Sequence, residues 1–253
     1  MKSLFLLAFI FTLFISPVLN APMPRSYYSY LLEYVREDVV DALLLKLPKR
    51  TNVDILKMCL AMAEEKKTTP LSDIEAAFLV YKWIAQNIKV NCVDHNKEEA
   101  AGVYNSGTGT FIGISALFNT MCSIMNIESL TIAGFTKRWD DVKNDHRLCY
   151  KAEHYWNYIL INNTYYLVDP TLSSGFCYGV KFQKEYLDYY FGTKPEFLIY
   201  THFPIKEKYQ FLDNKISEEK WDQLIMRTPR YYLNGMIAIT PESLNINLKD
   251  AKK

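Results

Sequence analysis

The sequence predicts an α+β domain, on three observations. Through the first half, from Ser26 to Met125, apolar residues return at spacings of three and four, the period of helices packed on one face. From Ser129 that period gives way to short runs rich in aromatic and β-branched residues, which read as strands. Two of those runs flank Asn162-Asn163, a pair that tolerates the left-handed backbone of a tight hairpin turn. Helices followed by antiparallel strands make the α+β order.

Each element follows from local chemistry. Lys2 precedes an apolar run from Leu4 to Ile15, too short to span a bilayer, and this reads as a secretory signal peptide over residues 1–21 with cleavage near Ala21. Residues 22–70 form a helical extension. Tyr30, Leu31, Tyr34, Val35, Val39, Leu43 and Leu45 predict one helix over 26–47, stopped by Pro48. A second covers Val53–Glu65 and breaks at Thr68-Thr69-Pro70. The core spans 71–213 and opens with a capping box, Ser72 with Glu75, ahead of an apolar stripe from Ile74 to Ile88. Gly107 and Gly109 permit a sharp turn into a buried helix carrying Phe111, Ile114, Leu117, Phe118 and Met121. Ser129–Phe135, His154–Ile161 and Thr164–Asp169 are strands. Tyr186–Phe191 reads as a short helix. The C-terminal part, 214–253, supplies a helix over Ser217–Met226, a last strand over Tyr231–Ile239 and a frayed charged tail.

Composition narrows the function classes. A net charge of +1 with no dense basic run argues against nucleic acid. No later run is long enough for stable membrane insertion, so the mature chain is expected to be secreted. In that oxidising route some of Cys59, Cys92, Cys122, Cys149 and Cys177 should pair, and the odd count leaves one over. With no C-x-x-C, neither a metal site nor a cofactor is implied. Asn162-Asn163-Thr164 is a glycosylation sequon in an exposed turn.

A mechanism is suggested by three positions. His154 opens one strand of the hairpin and Asp169 ends the other, so the carboxylate can fix the tautomer of the imidazole. Across from them lies a helix N-terminus, where a thiol enzyme places its cysteine. That first turn here holds Phe111.

The motif order resembles the transglutaminase-like superfamily and, within it, the kyphoscoliosis peptidase family. The resemblance rests on Phe111-Ile112-Gly113-Ile114-Ser115-Ala116-Leu117-Phe118, His154-Tyr155-Trp156-Asn157, Val168-Asp169-Pro170-Thr171, Phe191-Gly192-Thr193-Lys194-Pro195-Glu196 and Thr201-His202-Phe203-Pro204. Trp83–Ile88 adds the helix ahead of the core, so the likeness covers about residues 71–213. It implies a papain-like fold, with His154 and Asp169 as catalytic partners of a cysteine. Gly113, Leu117 and Phe118 fix the register, and the family cysteine falls on Phe111. His154 and Asp169 are then a vestigial dyad. Trp156 and Asn157 beside it are candidate binding residues, or else pack under the hairpin and bond at the strand end. His202 reads as structural.

A phenyl ring cannot supply a thiolate. Thr110 points about 100° away on the helix, and Ser115 and Cys122 lie deeper. Cys149 and Cys177 flank the hairpin, either as a disulfide or as a relocated nucleophile. The expectation is a secreted pseudoenzyme, leaning away from catalysis, that binds a polypeptide or extracellular protein partner. An active thiol protease or crosslinking acyltransferase using a relocated cysteine, and a structural matrix protein, are the alternatives.

Overall fold

A computed structural model of the protein describes residues 23–93, 99–140 and 145–234, and of residues 138–140 and 145–152 the backbone only. The predicted signal peptide, the sequence from 235 onward and the end of the predicted last strand lie outside the described residues.

Helices lead and an antiparallel sheet follows, the predicted α+β order. The helices are α1 (Arg25–Tyr28), α2 (Glu37–Lys46), α3 (Ile55–Thr68) and α4 (Asp73–Asn87). A two-residue strand β1 (Lys89–Val90), helix α5 (Ala100–Ser106), strand β2 (Thr108–Gly109) and helix α6 (Phe111–Ile124) complete the first half. Then come β3 (Glu128–Asp140), β4 (Asp145–Ile161), β5 (Thr164–Val168), the hairpin β6 (Gly175–Tyr178) and β7 (Lys181–Lys184), and β8 (Phe191–Thr193). Helix α7 (Pro195–Leu198), β9 (His202–Pro204), α8 (Glu218–Gln223) and α9 (Pro229–Leu233) end the described chain.

The predicted 26–47 helix is broken, because its backbone has better partners elsewhere. The Ser29 hydroxyl donates to the Phe191 carbonyl and accepts from the amides of Leu31 and Leu32. Ser29 also bridges to Thr193 of β8. Further along, Arg36 turns its backbone N–H and its guanidinium to Glu75. These tertiary bonds outcompete helix continuation at both breaks.

The predicted capping box is present. Ser72 accepts from the Glu75 amide while Glu75 reaches back to the Ser72 amide. Helix α4 is buried on nearly every side from Glu75 to Ala85, so it is the centre of the helical layer rather than a one-faced helix. Residues 23–70 join the same core through Tyr28, Leu31, Val40, Leu43, Met58 and Met62.

Five strands form the main sheet in the order β8-β5-β4-β3-β9, each antiparallel to its neighbours. The β4–β5 turn is Asn162-Asn163, with φ of 51° and 59°, the left-handed pair that the sequence implied. Helix α6 lies against β3 and β4 and contacts α3, α4 and α5 on its other side, which explains its burial.

Two further expectations are corrected, and one hairpin is added. Tyr186–Phe191 supplies only one 3₁₀ turn, Asp188–Tyr190, and Phe191 instead begins β8. Tyr231 and Tyr232 lie in helix α9, started by Pro229 at its first position, not in a strand. The β6–β7 hairpin was not foreseen, since its turn is Gly179-Val180, a less specific signal than Asn-Gly.

Candidate functional site

The site begins at the N-terminus of α6. Gly107 caps α5 with φ of 73°, a left-handed turn that swings the chain into β2. Thr110 then caps α6, its side chain accepting from the Gly113 amide at 3.3 Å. Phe111 is therefore the first helical residue, as the sequence register implied.

The sheet supplies the rest. His154 lies on β4 opposite Gly134 of β3. Asp169 follows the last residue of β5. His202 opens β9, opposite Thr136 of β3. All three side chains are buried. His154 Nε2 lies 2.6 Å and His202 Nε2 3.0 Å from the same oxygen, Asp169 Oδ2. The other oxygen, Oδ1, accepts from the backbone amides of Thr171 and Leu172, each at 2.9 Å. The carboxylate thus takes four hydrogen bonds. Burial pushes the Asp169 carboxyl up, but the charge and hydrogen bond of His154, reinforced by His202, outweigh it and hold it well below the usual carboxylate range.

Each neutral imidazole that donates from Nε2 leaves its lone pair on Nδ1. For His202, Nδ1 is 2.8 Å from the Thr201 hydroxyl. For His154, the ring meets Phe111 edge to face, with centroids 4.9 Å apart. His154 and Asp169, which the sequence placed at one end of the hairpin, are in hydrogen-bond contact, with Phe111 against the imidazole. His202, which the sequence left as structural, is a second clamp on Asp169. The one available signal was its place in Thr201-His202-Phe203-Pro204.

His154, Asp169 and His202 also form a group, among the described residues, whose ligand atoms all lie within 4.8 Å of one another. Two ligands about 2.1 Å from one tetrahedral ion stand roughly 3.4 Å apart. The observed 2.6 and 3.0 Å are hydrogen-bond lengths, so the arrangement fits a shared carboxylate better than an ion.

Trp156 and Asn157, the candidate binding residues, are buried. Trp156 stacks beside His154, centroids 6.1 Å apart, and meets His202 edge to face at 5.1 Å. Asn157 Nδ2 donates to the Ser115 carbonyl and to Asn119 Oδ1, pinning β4 to α6. Both support the site from below and neither lines the cleft. Asn162 of the sequon is exposed.

A cleft of about 370 Å³ opens over this cluster. Phe111, His202, Thr201 and Thr136 lie on it, with apolar walls that include Val90, Leu172, Phe176 and Leu187. No residue of 23–70 lines it, so the N-terminal helices pack as an extension and do not roof the cleft.

Cys177 also lines the cleft, but it is bonded to Cys92, not to Cys149. The pairing joins the segment after β1 to the β6 strand. It overturns the Cys149–Cys177 alternative and removes Cys177 as a relocated nucleophile. Cys59 and Cys122 are free and buried. Burial pushes the Cys59 thiol up to about 12 and the Cys122 thiol further up. The Ser115 hydroxyl is buried and donates to the Tyr155 carbonyl at 3.0 Å.

Among the described residues, no helix is long and apolar enough to cross a membrane.

Comparison with known proteins agrees with this architecture. Residues 60–170 match the model of the Transglutaminase-like superfamily. The chain is 23% identical over 188 residues to the human kyphoscoliosis peptidase and 24% identical to the mouse protein, covering 72% of this chain and 28% of each relative. Hillarin of Drosophila melanogaster is 24% identical over 216 residues, 73% of this chain and 26% of that protein. The chain thus spans under a third of the length of these relatives. A solved structure from Cytophaga hutchinsonii, described as a candidate cysteine protease, overlaps 52% of this chain and 42% of its own, at 14% identity and a TM-score of 0.30. That overlap is too loose to add to the fold, which rests on the helix and sheet order described above. The likeness to the Transglutaminase-like superfamily thus covers residues 60–170, under half of the chain.

Proposed function

We propose that the protein is a pseudoenzyme of transglutaminase-like architecture, secreted and glycosylated at Asn162, that binds a polypeptide in the cleft above its dyad. Phe111 stands where a cysteine nucleophile belongs, and its ring against His154 is the observation that carries this reading. The imidazole and carboxylate are oriented as a thiol enzyme needs them, yet the group they face can neither ionise nor attack. A phenyl ring at this position turns a reactive floor into an apolar one, suited to holding a side chain rather than cleaving a bond.

Of the two cysteines proposed as a relocated nucleophile, Cys177 is removed by its disulfide, and the side chain of Cys149 lies outside the described residues. Cys92 and Cys177 are joined, and Cys59 and Cys122 are buried with raised thiols.

The test incubates the purified full chain with reduced, carboxymethylated lactalbumin, an unfolded polypeptide. The expected result is saturable binding, with neither cleavage nor crosslinking over hours. Turnover that disappears in His154→Ala overturns the reading.

A further inference from the structure

One wall of the cleft is made by the last described segment. Met226, Thr228, Pro229 and Arg230 line it together with Glu185. The root of this segment is firmly held. Trp221 Nε1 donates to the Ile199 carbonyl at 2.6 Å. Lys137 Nζ donates to the carbonyls of Trp221 at 2.6 Å and Leu224 at 2.5 Å, closing the end of α8.

Beyond Leu224 the bonding changes. Arg227 is only 7% exposed, and its guanidinium lies 4.0 Å from the Tyr200 ring centroid. Its Nε is buried with no hydrogen-bond partner, and among the described residues it makes no ion pair. The Tyr231 hydroxyl is likewise buried and unbonded. The outer hold is one ion pair, Arg230 Nη2 to Glu185 Oε1 at 2.9 Å, with the Arg230 side chain 70% exposed, a kind that contributes little. The far end is held by packing, with Tyr232 stacked on Tyr189 and edge-on to Phe197.

We propose that residues 226–233 form a displaceable strap across the cleft, hinged after α8 and opened when a polypeptide enters. Closing buries a guanidinium that has no counter-ion among the described residues, only the Tyr232 phenol and the Tyr200 ring beside it, together with the unbonded Tyr231 hydroxyl, and these groups regain water on opening. That return offsets part of the apolar burial lost at Tyr231 and Tyr232. The strap is then the least protected element around the cleft, while α6 and α8 on either side stay closed. What displaces it rests on the binding reading above, whereas its intrinsic opening does not.

Hydrogen exchange read by mass spectrometry on the full chain tests this. Peptides covering 226–233 should exchange faster than those of α6 and α8. Arg227→Met removes the buried charge, which has no counter-ion among the described residues, and keeps much of the side-chain length. It should slow strap exchange about tenfold and raise the melting temperature, since an apolar isostere suits a buried, unpaired site better. Glu185→Gln should speed strap exchange and leave α6 unchanged. Strap exchange as slow as that of α6 in the wild type, or Arg227→Met that leaves exchange unchanged or lowers the melting temperature, overturns the strap. Carboxymethylated lactalbumin should accelerate strap exchange in the wild type and less so in Arg227→Met. If the variants behave as expected but lactalbumin binds neither protein, the strap stands and the polypeptide-binding reading falls.

Discussion

Phe111 meets the His154 imidazole edge to face at 4.9 Å between ring centroids, while the far side of that imidazole is bonded to Asp169. Replacing the phenyl with a thiol should therefore set a nucleophile beside an oriented base. Phe111→Cys is expected to react with iodoacetamide near pH 6.5 at that one cysteine, with the rate falling about tenfold or more when His154→Ala is added. Cys59 and Cys122 should stay unlabelled in the folded protein, being buried. Peptide-resolved mass spectrometry reads every cysteine at once. A native cysteine that labels fast with help from His154 would show that the nucleophile had moved.

The carboxylates predict how acid acts on the fold. Hydrogen bonds from Arg36, with further bonds from Ser72, hold Glu75 down at about 2 against the opposing effect of burial. Asp169 is also depressed, by the histidines. A carboxyl whose folded value lies below its unfolded one binds fewer protons when folded. Its contribution is complete above the unfolded value, about 4 for either group, and is lost as pH falls through the folded value. Urea midpoints should accordingly be flat in this respect above pH 5 and fall steadily from pH 4.5 toward 2. Glu75→Gln should flatten that slope and destabilise the protein at pH 7 by about 1–3 kcal/mol. Asp169→Ala should cost more, about 3–5 kcal/mol, because two histidines and two buried amides lose their acceptor. A slope unchanged in both variants would remove these carboxylates from the acid response.

Much of this was legible in the sequence because the signals were local. The Ser72–Glu75 box, the Asn162-Asn163 turn and the α6 period each lie within a few residues, and each appears as read. The His154–Asp169 pair was readable because a hairpin of known turn fixes which residues sit side by side. What failed depended on distant partners. Ser29 breaks a helix because Phe191, 162 positions on, offers it a carbonyl. Cys177 bonds to Cys92 rather than to its neighbour in sequence, a choice no spacing encodes. His202 reaches Asp169 across β3, and no periodicity links them.

The Cys92–Cys177 disulfide closes a loop 85 residues long. Chain entropy assigns such a closure about 4 kcal/mol of stability, as an upper figure. Cys92→Ser with Cys177→Ser should lower the urea midpoint by that order. It should also loosen the β6 wall of the cleft, where Cys177 sits, more than the β3–β4 sheet. Exchange at 175–184 that is unchanged in the double variant would mean the hairpin is held by its own pairing.

Gly134 carries the last prediction. It sits in the middle of β3, between His154 on one neighbouring strand and Pro204 on the other. A Cβ added there would come within 2.3 Å of the Phe203 carbonyl oxygen and 2.4 Å of the Trp156 ring. The first atom is backbone and cannot swing aside, and the second belongs to a fully packed indole that stacks beside His154 and touches His202. Gly134→Ala must therefore push β9 outward or tilt Trp156, and either motion moves a histidine off Asp169. The expected cost is about 1–3 kcal/mol from overpacking. In a Phe111→Cys background, Gly134→Ala should also slow iodoacetamide labelling even where the protein remains folded, because the base is no longer aimed. Labelling as fast as in Phe111→Cys alone would show that the histidines hold their positions without the close packing that glycine permits.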